Sequence, residues 1–137
     1  MRFIVFVKAT KASEAGQLPS AELLAEMGKF NQQLIDAGVM LDANGLQSSA
    51  KGARVTFSGT KRTVIDGPFT EAKELVAGYW VWQCKDLAEA IEWARRCPCP
   101  HADGGDLEIR QIFELSDFPS VPDAVVKQAE AFAKQKH

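Results

Sequence analysis

The segment from Val76 to Cys84 is the most strand-like part of the chain, and it is apolar on both of its sides. Successive side chains of a β-strand point to opposite faces of the sheet. One face of this strand carries Val76, Trp80, Trp82 and Cys84. The other face carries Ala77, Tyr79 and Val81. A sheet built on such a strand has to bury both faces, because a large apolar patch is otherwise left in water.

The first strand, Met1 to Lys8, has the same two-sided character. Its apolar residues alternate between a face with Ile4 and Phe6 and an opposite face with Phe3, Val5 and Val7. Two helices cover only one face of such a sheet, so the other face needs a second cover. We predict a homodimer packed sheet to sheet, since closed two-fold dimers are the commonest soluble assembly. The alternative cover is the C-terminal helix of the same chain.

Capping and turn signals divide the rest of the chain into short elements. Ser20 is predicted to cap a helix that ends near Ala37, before Gly38. Asp86 is predicted to open a second helix, which closes at Cys97-Pro98. Thr70 is predicted to cap one helical turn through Glu74. Further strands are predicted at residues 39–46, 54–58, 62–65 and 107–115, with a last helix from about residue 120.

The resulting order is β-α-β-β-β-β-α-β-α. Two strand–helix crossovers that flank a β-meander indicate the α+β class. We therefore predict a ferredoxin-like antiparallel sheet with helices on one face, an inserted hairpin whose strands join through the three-residue loop Gly59-Thr60-Lys61, and an extra C-terminal helix.

Composition excludes several classes of function. The chain has 137 residues, a length that fits one domain, with 46% hydrophobic and 25% charged residues. Its formal charge of −2 shows no excess of basic residues of the kind that binds nucleic acid or an anionic membrane. The longest apolar run, from Phe3 to Val7, is far shorter than the roughly 20 residues of a membrane span. No signal-peptide pattern occurs at the N-terminus.

The cysteines indicate a reducing compartment, and we predict a cytoplasmic protein. Cys97, Cys99 and His101 form a C-x-C-x-H string whose members share one face of an extended strand, where they could bind zinc. Pro98 and Pro100 instead favour polyproline geometry, which turns the three side chains apart. Inert loop thiols are therefore preferred to a zinc site or to a nucleophilic Cys99 activated by His101. No metal and no tightly bound cofactor is predicted.

Residues 64–74, with the sequence VIDGPFTEAKE, resemble the signature of the YCII-related (DGPF-domain) family. Further pieces occur in the order expected for that family, namely Ala37-Gly38-Val39, Gly45-Leu46-Gln47, Gly78-Tyr79-Trp80, Ala90-Ile91-Glu92-Trp93-Ala94 and Glu108-Ile109-Arg110. The resemblance covers residues 1–115 as one domain and leaves 116–137 as a C-terminal helical extension. It implies the dimeric α+β barrel fold, in agreement with the two-faced sheet.

The resemblance implies little about chemistry. Members of the wider family resemble small enzymes for which a His–Asp pair is suggested as the catalytic unit. The DGPF branch has no settled reaction, and some members are linked to extracytoplasmic-function sigma factors. Asp66 matches the motif aspartate, and the chain has two histidines, His101 and His137. His101 is the candidate partner, because His137 ends the chain.

Asp66 has two interpretations from the residues themselves. Asp-Gly-Pro is common turn chemistry, in which the carboxylate caps its own turn and Gly67 adopts unusual backbone angles. Alternatively, the carboxylate faces a cleft from a strand end and acts as a general base, or binds a cationic or hydroxyl group. A pair with Lys73 would lower the Asp66 pKa and favour the charged form.

Five further side chains, including Lys73, are candidates for ligand contact. Phe69 fits a plug in the core or one wall of a pocket, and Tyr79 is a second aromatic candidate. Glu108 and Arg110 project from the same side of the last strand, where charges are costly unless paired. They form either an ion pair at the dimer interface or a site in which Arg110 holds a carboxylate or phosphate.

Together these features predict a cytoplasmic dimeric enzyme that acts on an unknown small molecule. Asp66 would supply acid/base chemistry, with His101 as its partner and Arg110 as an anion anchor, in a cavity near the dimer interface. The alternative is a non-catalytic small-molecule-binding or regulatory module that uses the same cavity. A third possibility is an interaction protein whose cavity is filled by side chains.

Overall fold

The computed structural model describes residues 1–135, so that Lys136 and His137 lie outside the described part of the chain. The strands are β1 (Arg2–Lys8), β2 (Met40–Gly45), β3 (Ala53–Ser58), β4 (Lys61–Asp66), β5 (Val76–Gln83) and β6 (Leu107–Gln111). The helices are α1 (Lys11–Glu14), α2 (Ala21–Asp36), α3 (Leu87–Arg95) and α4 (Asp123–Gln135). Short 3₁₀ turns occur at Ser49–Lys51, Ala72–Glu74 and Leu115–Asp117.

Four of the strands form one antiparallel sheet in the order β2-β5-β1-β6. Helix α2 crosses from β1 to β2, and α3 crosses from β5 to β6, so each strand–helix–strand unit skips over one neighbour in the sheet. This arrangement is the ferredoxin-like one, and it confirms the α+β fold class with its additional C-terminal helix. Strands β3 and β4 form a separate two-stranded sheet.

The helix-covered face of the sheet contains the core. Strand register places Phe3 opposite Trp82 and Val5 opposite Trp80, and these four side chains are buried. They pack with the α2 side chains Phe30 and Leu34 and with Ala90 of α3. The alternation of apolar residues in β1 and β5 thus separates the side chains of this face from those of the other.

Caps delimit the long helices where the sequence predicts them. The Ser20 side chain accepts a hydrogen bond from the Leu23 N–H at the start of α2. Asp86 accepts one from the Glu89 N–H at the start of α3. Gly38, after the C-cap of α2, has a φ of 71°, which is a left-handed conformation that glycine adopts without steric cost.

Within residues 1–135, no helix has the length and apolarity required to cross a bilayer.

Several local predictions differ from the structure. Strands β3 and β4 pair Ser58 with Lys61, so the hairpin loop is the two residues Gly59-Thr60 rather than three. The turn at Ala72–Glu74 is preceded by Glu71 and has no side-chain cap, so Thr70 does not cap it. Strand β6 ends at Gln111 and not near Leu115, because the chain turns into a 3₁₀ segment there.

The second face of the four-stranded sheet lacks a tightly packed cover within the described chain. Ile4, Phe6, Tyr79 and Val81 on this face are only half-buried. The C-terminal helix α4 contains no buried residue. We refer to this surface as the open face of the sheet.

An ion pair ties the start of β1 to the segment that follows β6. The Nε and Nη2 of Arg2 donate to the two carboxylate oxygens of Glu114 at 2.8 and 3.1 Å. The hydrogen bond and the charge of Arg2 lower the pKa of Glu114. A carboxyl group with a lowered pKa in the folded state stabilises the fold above its unfolded pKa of about 4.3, and this contribution disappears as the pH falls through the folded pKa.

We therefore expect Glu114→Gln to lower the free energy of unfolding at neutral pH by about 0.5–1 kcal/mol, a small effect because both side chains are partly exposed. The difference from wild type should shrink as the pH is lowered below about 4. Urea denaturation over a pH series measures it. Glu130→Gln on α4 is the matched control, and an equal effect of the two variants would contradict the assignment.

Candidate functional site

A half-open cleft of about 1390 Å³ lies at the end of the sheet where β2 finishes and β5 begins. Its walls are the segment from α1 to α2, the first half of α2, the segment after β2 and the loop that follows α3. The apolar side chains Val7, Met27 and Trp80 line it. This volume exceeds the roughly 300–1,000 Å³ of ordinary small-molecule sites, so the cleft has room for a ligand.

Trp80 is held in a fixed orientation in the cleft lining. Its indole Nε1 donates to the Asn31 Oδ1 at 2.9 Å, and Asn31 also lines the cleft. The tryptophan is 5% exposed, and its ring meets Phe30 edge-on with ring centroids 5.8 Å apart. These contacts therefore fix the position of the indole in this part of the cleft lining.

His101 lines the cleft with an orientation set by the backbone. Its Nε2 lies 3.0 Å from the carbonyl oxygen of Lys8. A carbonyl can only accept, so Nε2 carries the hydrogen in this contact and the neutral ring has its lone pair on Nδ1. No hydrogen bond within residues 1–135 occupies Nδ1. The geometry thus leaves one imidazole nitrogen to accept a proton.

The loop around His101 closes through two glycines. The Gly104 N–H donates to the His101 carbonyl oxygen at 3.1 Å. Gly104 and Gly105 have φ values of 101° and 121°, which side chains rarely adopt. A Cβ at Gly105 would lie 3.0 Å from Cδ2 of His101, so this glycine also provides space for the imidazole.

The carboxylate near His101 is Asp103, which the sequence analysis did not identify. The Thr10 hydroxyl lowers the pKa of Asp103, and the N–H groups of Asp103 and Ala12 and the charge of His101 act in the same direction. Asp103 is exposed and lines the cleft. An acidic residue two positions after a histidine and directly before Gly104-Gly105 is the sequence signal that could have identified it.

The Asp-Gly-Pro-Phe motif supports one wall of the cleft. The Gly67 N–H donates to the Gly52 carbonyl at 3.0 Å, and the Phe69 N–H donates to Ser49 Oγ at 2.9 Å. The hydroxyl and N–H of Ser49 in turn donate to the Glu14 carboxylate. Glu14 lines the cleft, as do residues 48, 50 and 51 around Ser49. Through these bonds the motif joins α1 to the 3₁₀ turn.

Position 67 requires glycine because there is no room for a side chain, and not because of its backbone conformation. Its φ is not in the left-handed region, contrary to the prediction of unusual backbone angles. A Cβ at this position would instead overlap the carbonyl oxygen of Ser49.

Asp66 lies at the base of the hairpin, as the last residue of β4 opposite Ala53. It is exposed, and it does not line the cleft. Within residues 1–135 its carboxylate makes no hydrogen bond or ion pair. The structure therefore joins Asp66 neither to His101 nor to Lys73, and the carboxylate does not cap its own turn.

The ligand-contact candidates lie in three places. Phe69 is half-buried beneath the guanidinium of Arg54, 3.7 Å from the ring centroid, and Lys73 is exposed. Tyr79 borders the cleft, but its side chain lies on the open face of the sheet. There its hydroxyl accepts from Asn44 Nδ2 at 3.0 Å and donates to Asp42 at 3.3 Å.

Glu108 and Arg110 form an ion pair on the open face. Nη1 of Arg110 lies 3.5 Å from Glu108 Oε2, and Lys8 Nζ lies 3.9 Å from the other oxygen. Arg110 does not line the cleft. The structure thus separates this pair from His101.

The cysteine thiols near the cleft contact backbone carbonyls. Cys97 Sγ donates to Pro98 at 3.2 Å, and Cys99 Sγ donates to the carbonyl, not the ring, of His101 at 3.3 Å. Burial raises the pKa of the Cys97 thiol to about 11, so it is protonated near neutral pH. Within residues 1–135, no three histidine, cysteine or acidic side chains are grouped as metal ligands.

The subunit is therefore a ferredoxin-like α+β domain with a cleft at one end of its sheet. The YCII-related domain family matches residues 1–116, so the chain belongs to the YCII-related family. This match confirms the resemblance seen in the motif at residues 64–74.

Two known proteins are similar to the chain. An uncharacterised protein of Rhizobium meliloti (strain 1021) is 25% identical over 100 residues, which cover 72% of this chain and 81% of the relative. The solved structure of 5-chloro-2-hydroxyhydroquinone dehydrochlorinase from Burkholderia phenoliruptrix AC1100, in complex with 2,5-dihydroxybenzoquinone, aligns with a TM-score of 0.48 and 11% identity. That alignment covers 85% of this chain and 98% of the other.

We expect Gly67→Ala to lower the free energy of unfolding by about 1–3 kcal/mol, because the new methyl group has to displace backbone. Gly28→Ala is the control. Gly28 lies inside α2 with no atom within 4 Å of an added Cβ, so alanine should raise the stability by about 0.5–1 kcal/mol. Urea denaturation measures the free energy of unfolding of both variants. A Gly67→Ala variant that is as stable as wild type would contradict the packing argument.

Proposed function

We propose that this protein is a small-molecule enzyme that uses His101 for acid/base chemistry in the cleft. One observation carries the proposal: the Lys8 carbonyl holds Nε2 of His101 and leaves Nδ1 to exchange a proton. Histidine changes charge near neutral pH in its unperturbed form, which suits it to donate and accept protons.

Asp103 supports the chemistry of His101. Its pKa is lowered, so it stays ionised near neutral pH and places a negative charge in the cleft lining. Asp103 is in this role a positioning and electrostatic residue, because the proton moves to His101.

Asp66 is proposed as a second acid/base residue, supported by its match to the family motif and by its exposed carboxylate. Within the described residues nothing neutralises it, so it is free to meet a ligand. Because Asp66 does not line the cleft, its proposed role is separate from that of His101.

The proposal includes a cytoplasmic homodimer formed through the open face. The half-buried residues Ile4, Phe6, Tyr79 and Val81 support this cover. The cysteines Cys84, Cys97 and Cys99 are free thiols, as expected in a reducing compartment. Glu108 and Arg110 lie on the same face, where a second subunit would bury their ion pair or use Arg110 to hold an anionic group.

The proposal of an enzyme is tested by a thermal-shift screen. Small organic molecules are added to wild type, His101→Gln and Asp66→Asn, and the melting temperature of each protein is measured. A ligand at about 100 times its dissociation constant stabilises a protein by about 2.7 kcal/mol, which raises the melting temperature by several degrees. Each stabilising molecule is then incubated with the protein and followed by mass spectrometry. We expect wild type to convert at least one of them.

His101→Gln should keep binding and lose at least about 100-fold in turnover, the contribution of one general acid/base residue. Unchanged turnover in this variant would remove His101 from the mechanism. Binding without conversion by wild type would identify a non-catalytic module instead. Unchanged turnover in Asp66→Asn would likewise remove the motif aspartate from the mechanism. Lys127→Gln on α4 is the matched control.

Light scattering tests the dimer. Wild type should show twice the subunit mass of 15.0 kDa, and Val81→Asp on the open face should show the subunit mass, because a buried unpaired charge is costly. Ile4→Thr provides a milder change on the same face, and Val125→Asp on the exposed part of α4 is the control. A wild-type protein of subunit mass would contradict the proposed assembly.

A further inference from the structure

Strands β3 and β4, residues 53–66, form an arm that stands apart from the domain. The two strands pair only with each other, and every residue in them is exposed. A two-stranded hairpin by itself is at best marginally stable in water. The arm therefore needs a cover that the described chain does not provide.

One face of the arm carries three large apolar side chains, with the Arg62 guanidinium 4.5 Å from the centroid of the Phe57 ring. Val55 pairs with Val64 across the ladder, and Phe57 lies two residues along on the same face. These side chains are 50%, 66% and 68% exposed, respectively. Contiguous exposed apolar side chains of this kind mark sites of protein interaction.

The arm also differs in charge from the rest of the chain. It carries the basic residues Arg54, Lys61 and Arg62 and the single acid Asp66, a net charge of +2. The whole chain has a net charge of −2, so the other residues together carry −4. The arm and the rest of a second copy therefore carry net charges of opposite sign, and opposite charges steer association.

We propose that the arm docks on a second copy of this chain, with its Val55, Phe57 and Val64 face buried in the contact. The inference rests on the dimer of the proposed function and adds a second contact region to it. The arm leaves the sheet where β2 ends at Gly45 and β5 begins, which is also the end that holds the cleft. Nucleic acid is a poorer occupant, because a chain of negative net charge repels a polyanion.

The test compares two double charge reversals that change the net charge equally. Lys61→Glu with Arg62→Glu alters the tip of the arm, and Lys127→Glu with Lys134→Glu alters exposed positions on α4. Sedimentation velocity gives the dimer dissociation constant of each at low and at high salt. Val64→Thr is a further arm variant that keeps the β-branched shape, and circular dichroism verifies that all variants fold.

The arm reversal should raise the dissociation constant by about tenfold or more and remove its salt dependence, since the charge pairing is lost. Val64→Thr should raise it too, and the α4 control should leave it within about twofold. An arm reversal with the wild-type dissociation constant would overturn the proposal, as would a monomeric wild type. So would binding of a DNA duplex that the arm reversal abolishes while the dimer persists.

Failure of the arm proposal is distinguishable from failure of the open-face dimer. If Val81→Asp gives monomers while both arm variants dimerise like wild type, the arm proposal is wrong and the open-face dimer stands. If the arm variants dissociate and Val81→Asp does not, the arm forms the contact and the open face is wrong.

Discussion

The packing of Trp80 and Trp82 against helix α2 is the interaction on which the rest of the subunit depends. Both rings point to the same side of β5, and Phe30 meets them edge-on at 5.8 and 6.3 Å between centroids. Aromatic pairs in this arrangement add to the free energy gained by burial alone. Because β5 lies between β1 and β2 in the sheet, the same contact fixes the helix and forms part of the cleft lining.

The motif around Asp66 has a structural part that is separate from any chemistry. Gly67 fits because no Cβ is tolerated against Ser49, and Phe69 binds the same serine through its N–H. These bonds hold the wall of the cleft in place through Glu14. The motif thus contributes to a site even though its aspartate lies outside the cleft, which explains why a motif match alone does not assign the catalytic group.

The molecule has three surfaces that the described chain leaves uncovered. The cleft with His101 is wide and open, and the open face and the arm each expose apolar side chains. Exposed apolar surface of this kind is typical of protein contacts, and the proposed dimer would bury it. The enzyme proposal rests on His101 of one chain, whereas the arm proposal depends on a second copy.

The sequence by itself determined most of the elements and the division of the central strands into two faces. Alternation in β1 and β5, the Ser20 and Asp86 caps and the glycine after α2 are local signals, because they act within a strand or a turn of helix. The YCII-related family was recognisable for the same reason, since its signature is one contiguous stretch. Tertiary structure decided that Asp66 does not meet His101. Asp103 lies two residues from His101 in the chain, whereas the position of the β3–β4 hairpin leaves Asp66 outside the cleft. Whether residues distant in sequence meet depends on packing, which local signals do not encode.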